Sequence, residues 1–174
     1  MIKNISVLFI LALLFLSQLA YSSSFNNYGV KFDYPETYKL TNESKDGYSE
    51  VSIQSDKGLI ITQIFTNKLP KDVINVYVTT YKKGLESEKF VISNSGVLKS
   101  SLKVNDPTIK GGKRKVKAVV HTLVFTKDNV SNKSSIYFFN EGTKGYVIVF
   151  TQYGSNNIND AISTFVKSFT VNAN

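Results

Sequence analysis

The run Gly145-Tyr-Val-Ile-Val-Phe-Thr-Gln-Tyr153 constrains this chain more than any other stretch. On an extended backbone Tyr146, Ile148 and Phe150 fall on one side, Val147 and Val149 on the other. A strand with one wet face alternates apolar and polar residues, whereas one that is apolar on both sides must be covered on both. The run is therefore read as a central strand. Ile136–Phe139, just before it, is also β-branched and aromatic, and the polar Asn140-Glu141-Gly142-Thr143-Lys144 between them marks a hairpin turn. Whatever folds around this hairpin has to supply two apolar layers.

Further strands can be read on both sides of it. Val30, Phe32 and Tyr34 alternate with Lys31 and Asp33, a half-buried strand ended by Pro35. Tyr38–Thr41 reads as a short strand, Asn42–Tyr48 as a polar turn around Asp46-Gly47, and Glu50–Gln54 alternates again. Leu59–Phe65 and Val116–Phe125 are two more runs apolar on both faces. Phe90–Lys103 reads as one or two strands around Gly96, Asn105–Gly112 as an exposed loop, and Lys127–Ser135 as a polar turn.

Two segments change period. Val73, Val76, Tyr77, Thr80, Tyr81 and Leu85 recur at three- and four-residue spacing after Pro70 and Asp72, which predicts an amphipathic helix. The rival reading is a strand, because the segment is rich in Val, Thr and Tyr. Ile158, Ile162, Phe165, Val166 and Phe169 form a second helical stripe after Ser155-Asn-Asn157. The expected class is α+β: a mostly antiparallel β-sheet flanked by helices.

The N-terminus reads as a leader. Lys3, the apolar run Ile5–Leu16 and the small residues around Ala20-Tyr21-Ser22 have the layout of a secretory signal peptide over residues 1–22, or of an uncleaved N-terminal anchor. One domain is expected over residues 27–172. A secreted or extracytoplasmic domain without cysteine must be held by packing alone, here with 12 Phe and 10 Tyr. One His and no Cys argue against a zinc or redox-metal site, and no cofactor is expected.

Charge is uneven. The net is +8, yet Asp33, Glu36, Glu43, Asp46, Glu50 and Asp56 meet only Lys39 and Lys45 in their segment, and the basic excess lies downstream. For an extracytoplasmic chain this favours anionic envelope components or acidic proteins, with peripheral membrane association, over nucleic acid.

Tyr28-Gly-Val-Lys-Phe-Asp-Tyr-Pro35 with Tyr38, the central helix, the Lys117-Ala-Val strand, Tyr137-Phe-Phe139 with Gly145–Phe150, and the closing Phe165-Val-Lys-Ser-Phe-Thr-Val171 together resemble PsbP-like domains. The resemblance runs over about residues 27 to 172. It implies an α/β/α layered domain whose members dock on other macromolecules without catalysis. Tyr38 stands where the family usually has Trp, and His121 matches none of the family's metal-associated histidines.

The best site candidate is Lys110-Gly-Gly-Lys-Arg-Lys-Val-Lys117, read as an anion- or partner-contacting loop through Lys110, Lys113, Arg114, Lys115 and Lys117. It lacks the spacing of a P-loop, and a solvated strand entry is the plainer alternative. A cleft between sheet and helix lined by Tyr77, Tyr81 and Tyr146 is the second candidate. His121, Asp33 with Glu36, and Glu86 with Glu88 are read as structural or surface groups, since no nucleophile–base arrangement accompanies them. Asn42, Asn129 and Asn132 begin glycosylation sequons, all in expected turns. The expected function is a non-enzymatic extracytoplasmic docking module at the cell envelope, with small-ligand or ion binding in the cleft as the alternative.

Overall fold

The computed structural model describes residues 22–171 apart from 107 and 111, so the leader read over 1–22 lies outside the described residues except for its last residue, Ser22, which opens the first strand. The elements in order are β1 (Ser22–Asn27), β2 (Val30–Pro35), β3 (Lys39–Lys45), β4 (Tyr48–Gln54), β5 (Gly58–Phe65), α1 (Lys71–Ser87), β6 (Val91–Asn105), β7 (Lys113–Lys127), β8 (Val130–Glu141), β9 (Lys144–Gln152), α2 (Asn159–Ser168) and β10 (Thr170–Val171). They form one curled ten-stranded sheet in the order β1-β2-β10-β6-β7-β8-β9-β5-β4-β3. Every ladder is antiparallel except β10 with β6, a parallel contact at Thr170↔Asn105.

This corrects the expected class. Strands make up 59% and helices 18% of the described residues, which form a mostly-β half-barrel of mixed sheet, and the α+β layered domain with flanking helices fits it poorly. The physical reason lies in segments read as turns. Asn42–Lys45 continues β3, Ser131–Ser135 opens β8, and Lys113–Lys117 opens β7, because each finds a cross-strand partner that its own polarity did not announce. The real turns are short. Asp128 (φ 51°) and Asn129 (φ 63°) are both left-handed, the combination that a two-residue hairpin turn between right-twisted strands requires.

β9 is buried along nearly its whole length, between β8 and β5. Tyr146, Ile148 and Phe150 enter the core on the concave side of the curl, while Val147 and Val149 enter a second core on the convex side. The concave core is closed by α2. Phe165 sits 4.7 Å from Phe32 and 5.7 Å from Phe150, ring centre to ring centre, and Phe169 follows it at 5.0 Å. Phe25 of β1 stacks on Phe32 at 5.2 Å and joins the same core.

α1 covers the convex core with a face rotated from the expected one. Ile74, Tyr77, Val78, Tyr81 and Leu85 pack inward, whereas Val76 is 65% exposed and Val73 is also exposed. Tyr81 anchors the helix through its hydroxyl, 3.0 Å from Ser134 Oγ, which is itself 2.8 Å from Thr151 Oγ1.

Candidate functional site

The lysine-rich segment is a strand rather than a loop. In β7 the even residues Val116 and Ala118 enter the concave core and the odd ones, from Val119 on, face the convex side. Lys113, Lys115 and Lys117 therefore stand on the same convex face as α1, all exposed. The β6–β7 register sets Lys99 beside Val119, Ser101 beside Lys117 and Lys103 beside Lys115. Two lysines not singled out in the sequence, Lys99 and Lys103, thus join the other three on one ribbon face. Alternation within Leu98–Val104 could have found them, since Leu102 and Val104 are buried and Lys99 and Lys103 are not. Lys110 is exposed in the connection between β6 and β7, next to Gly111, which is outside the described residues.

Arg114 differs from its neighbours. Its side chain points the other way and is spent on two carboxylates, Nε 2.9 Å from Asp106 and Nη1 2.7 Å from Glu141. The hydrogen bond to Glu141, more than any other contact, raises its pKa further. The Asp106 carboxyl is held below the usual range, chiefly by the Thr108 hydroxyl. Arg114 is a clasp and leaves the set of free contact residues.

The clasp spans a gap. The β7–β8 ladder runs from Lys127↔Val130 to Val119↔Phe138 and stops there, although β8 continues against β9 to Glu141. Beyond Val119 the strands splay, and a cavity of 430 Å³ opens between them and the start of α1. Leu69, Ile74, Val119 and Phe138 give it apolar walls. Lys71, Lys99 and Lys117 also line it, with no carboxylate among the lining residues. Leu69 is fixed there by both of its backbone polar groups: its N–H donates to Asn140 Oδ1 (2.7 Å) and its carbonyl accepts from Asn140 Nδ2 (3.1 Å). A side chain at Gly145 would come within 2.5 Å of Leu69 Cγ, so glycine there lets this wall approach the sheet. The first turn of α1 has Pro70 as its N-cap and no side-chain cap.

The expected tyrosine cleft is not formed. Tyr77 and Tyr81 lie beneath α1 on the convex side, and Tyr146 lies in the concave core, with β9 between them. Tyr77 packs edge-on to Phe138 at 5.4 Å, and burial raises its pKa. Tyr146 stacks on Phe139 at 5.0 Å and is pushed up to about 12, mainly by burial. Residues of one strand separated by an odd step cannot share a face, and Val147, not Tyr146, is the β9 residue on the helix side.

His121 is half-buried on the convex face, edge-on to Phe138 at 5.6 Å, and burial lowers its pKa with a smaller push from Lys82. Among the described residues no three His, Asp or Glu gather as a metal site. Glu36, Glu86 and Glu88 are exposed, and Asp33 accepts a hydrogen bond from Ser24 Oγ at 2.6 Å. Of the sequons, Asn42 is exposed on β3 and Asn129 is exposed in a turn. Asn132 is not in a turn: it is 7% exposed in β8, where its Oδ1 accepts the Gly154 N–H at 3.0 Å.

No protein-family model matches the chain, and no curated protein does, so the PsbP-like resemblance gains no support from either. Among solved structures, a protein of Bacteroides thetaiotaomicron VPI-5482 is similar at 12% identity and a TM-score of 0.50. The match covers 85% of this chain but only 47% of that one, so the chain spans about half the length of the structure it matches. The likeness concerns the fold alone.

Proposed function

We propose that the chain is a non-enzymatic, extracytoplasmic module that docks on the anionic lipid surface of a cell envelope through the convex face of β6 and β7. The observation that carries this reading is the alignment of Lys99, Lys103, Lys113, Lys115 and Lys117 on one exposed face. Lysines act as mobile point charges, suited to a diffuse negative surface, whereas bidentate recognition of a defined carboxylate favours arginine. The arginine of the cluster is already committed to Asp106 and Glu141. Val97, 61% exposed, lies on the same face two residues from Lys99. No helix among the described residues is long and apolar enough to cross a membrane. The leader read at residues 1–22 supports the compartment.

The test is co-sedimentation of the protein with phosphatidylglycerol vesicles across a salt titration, beside phosphatidylcholine vesicles and a Lys103→Gln/Lys113→Gln/Lys115→Gln variant. Each lysine near an anionic surface contributes roughly fivefold in affinity. The expected result is saturable binding to the anionic vesicles only, weakened by salt and lost in the variant. Equal binding by variant and parent, or none by either, would sink the reading; capture by an acidic protein with no vesicle binding would redirect it to a protein partner.

A further inference from the structure

We infer that the cavity at the β7–β8 splay is a binding site for a single-chain anionic amphiphile, an alkyl carboxylate taken up as a free monomer. This goes beyond docking, because it concerns a recess between strands and helix rather than a charged surface. The cavity's 430 Å³ falls within the range of about 300–1,000 Å³ usual for small-molecule sites. Its chemistry is two-part. Leu69, Ile74, Val119 and Phe138 offer an alkyl chain a wall without hydrogen-bonding groups, and Phe138 is 2% exposed. Lys71, Lys99 and Lys117 come from three separate elements (α1, β6 and β7) and line the same opening. Three cations with no carboxylate among the lining residues leave a net positive site that a carboxylate head complements.

Two further observations support a formed site. The strand ladder ends at Val119↔Phe138, although both strands continue, and Arg114 holds the gap at a fixed width by bonding Glu141 across it. The first turn of α1 contributes Lys71 and Ile74 to the lining, while Asp72 of the same turn is not among the lining residues. A neutral chain would leave the lysines unpaired, and a short carboxylate would leave the apolar walls unfilled.

The experiment is calorimetric titration of the protein with dodecanoate below its micelle concentration, beside dodecanol and acetate. Saturable dodecanoate binding is expected, with dodecanol and acetate each at least about tenfold weaker. Lys71→Gln/Lys117→Gln should weaken dodecanoate by roughly tenfold, and Val119→Phe should abolish binding by filling the cavity while leaving all charges in place. Lys113→Gln/Lys115→Gln should bind dodecanoate as the parent does, even as its vesicle binding falls. No saturable binding, equal binding of dodecanol, or full affinity in both cavity variants would overturn the inference. Vesicle binding that persists without dodecanoate binding would leave the docking reading standing and this one refuted.

Discussion

Lys103 and Lys115 stand directly opposite each other in the β6–β7 ladder, both exposed and neither in an ion pair among the described residues. Like charges at directly opposed sheet positions destabilise the pair of strands by about 0.2–1 kcal/mol. A fold selected for stability alone has no use for this arrangement. Lys103→Gln should therefore raise the urea midpoint while weakening binding to anionic vesicles. A drop in both quantities would mean that the lysine stem, not its charge, is what matters.

Arg114 should behave in the opposite way. Its guanidinium reaches Asp106 through Nε and Glu141 through Nη1, a geometry that a single ammonium cannot copy. Arg114→Met should lower the urea midpoint, since Glu141 loses its guanidinium donor while Asp106 keeps only its bonds from Thr108. Faster amide hydrogen exchange along Lys115–Ala118 would show the splay loosening, and Arg114→Lys should rescue it only in part. Wild-type exchange in the Met variant would show that the clasp does not hold the strands.

His121 sets a pH dependence of definite sign. Burial lowers its pKa in the folded state, so between that value and the ordinary 6.5 the unfolded chain binds more protons. Its neutral form is compatible with the fold above pH 6.5, and stability is lost as pH falls through the depressed folded pKa. His121→Gln should flatten the unfolding free energy between pH 7 and 5, as read from urea melts at each pH. An unchanged slope would assign the dependence to carboxylates.

Thr62 is 1% exposed in the concave core, and its Oγ1 has no hydrogen-bond partner among the described residues. Valine has nearly the same shape and no hydroxyl to desolvate. Thr62→Val should stabilise the protein by about 1 kcal/mol, visible as a higher melting temperature. A lower one would reveal that the hydroxyl is satisfied after all.

The strands and helices were legible to different degrees, for reasons the structure makes plain. β9 could be read fully, because burial on both faces leaves no room for polar residues, and its two faces meet two cores as expected. α1 was legible as a helix, but its inward face was not. Val73, Val76 and Ile74, Val78 are equally apolar, and only the sheet's curvature decides which pair is covered. β1 was hidden because Ser22–Asn27 carries a single apolar anchor, Phe25, at the edge of a leader. The lysine cluster was visible as charge. Its partner lysines on β6 needed the register, and the cavity needed a ladder that stops short, which no residue pattern states. Tyr146 could not be assigned from alternation, which groups it with Ile148 and Phe150 but does not say that α1 covers the opposite face, with Val147 and Val149.

The order of strands turns the uneven charge of the sequence into geography. Glu43 and Glu50 lie on β3 and β4, the tenth and ninth strands of the sheet counted from β1, while Lys99, Lys103, Lys113, Lys115 and Lys117 lie on β6 and β7, the fourth and fifth. The strongest positive potential therefore lies over β6 and β7, and a negatively charged surface pulls that face round first, ahead of the nearly neutral β3–β4 hairpin.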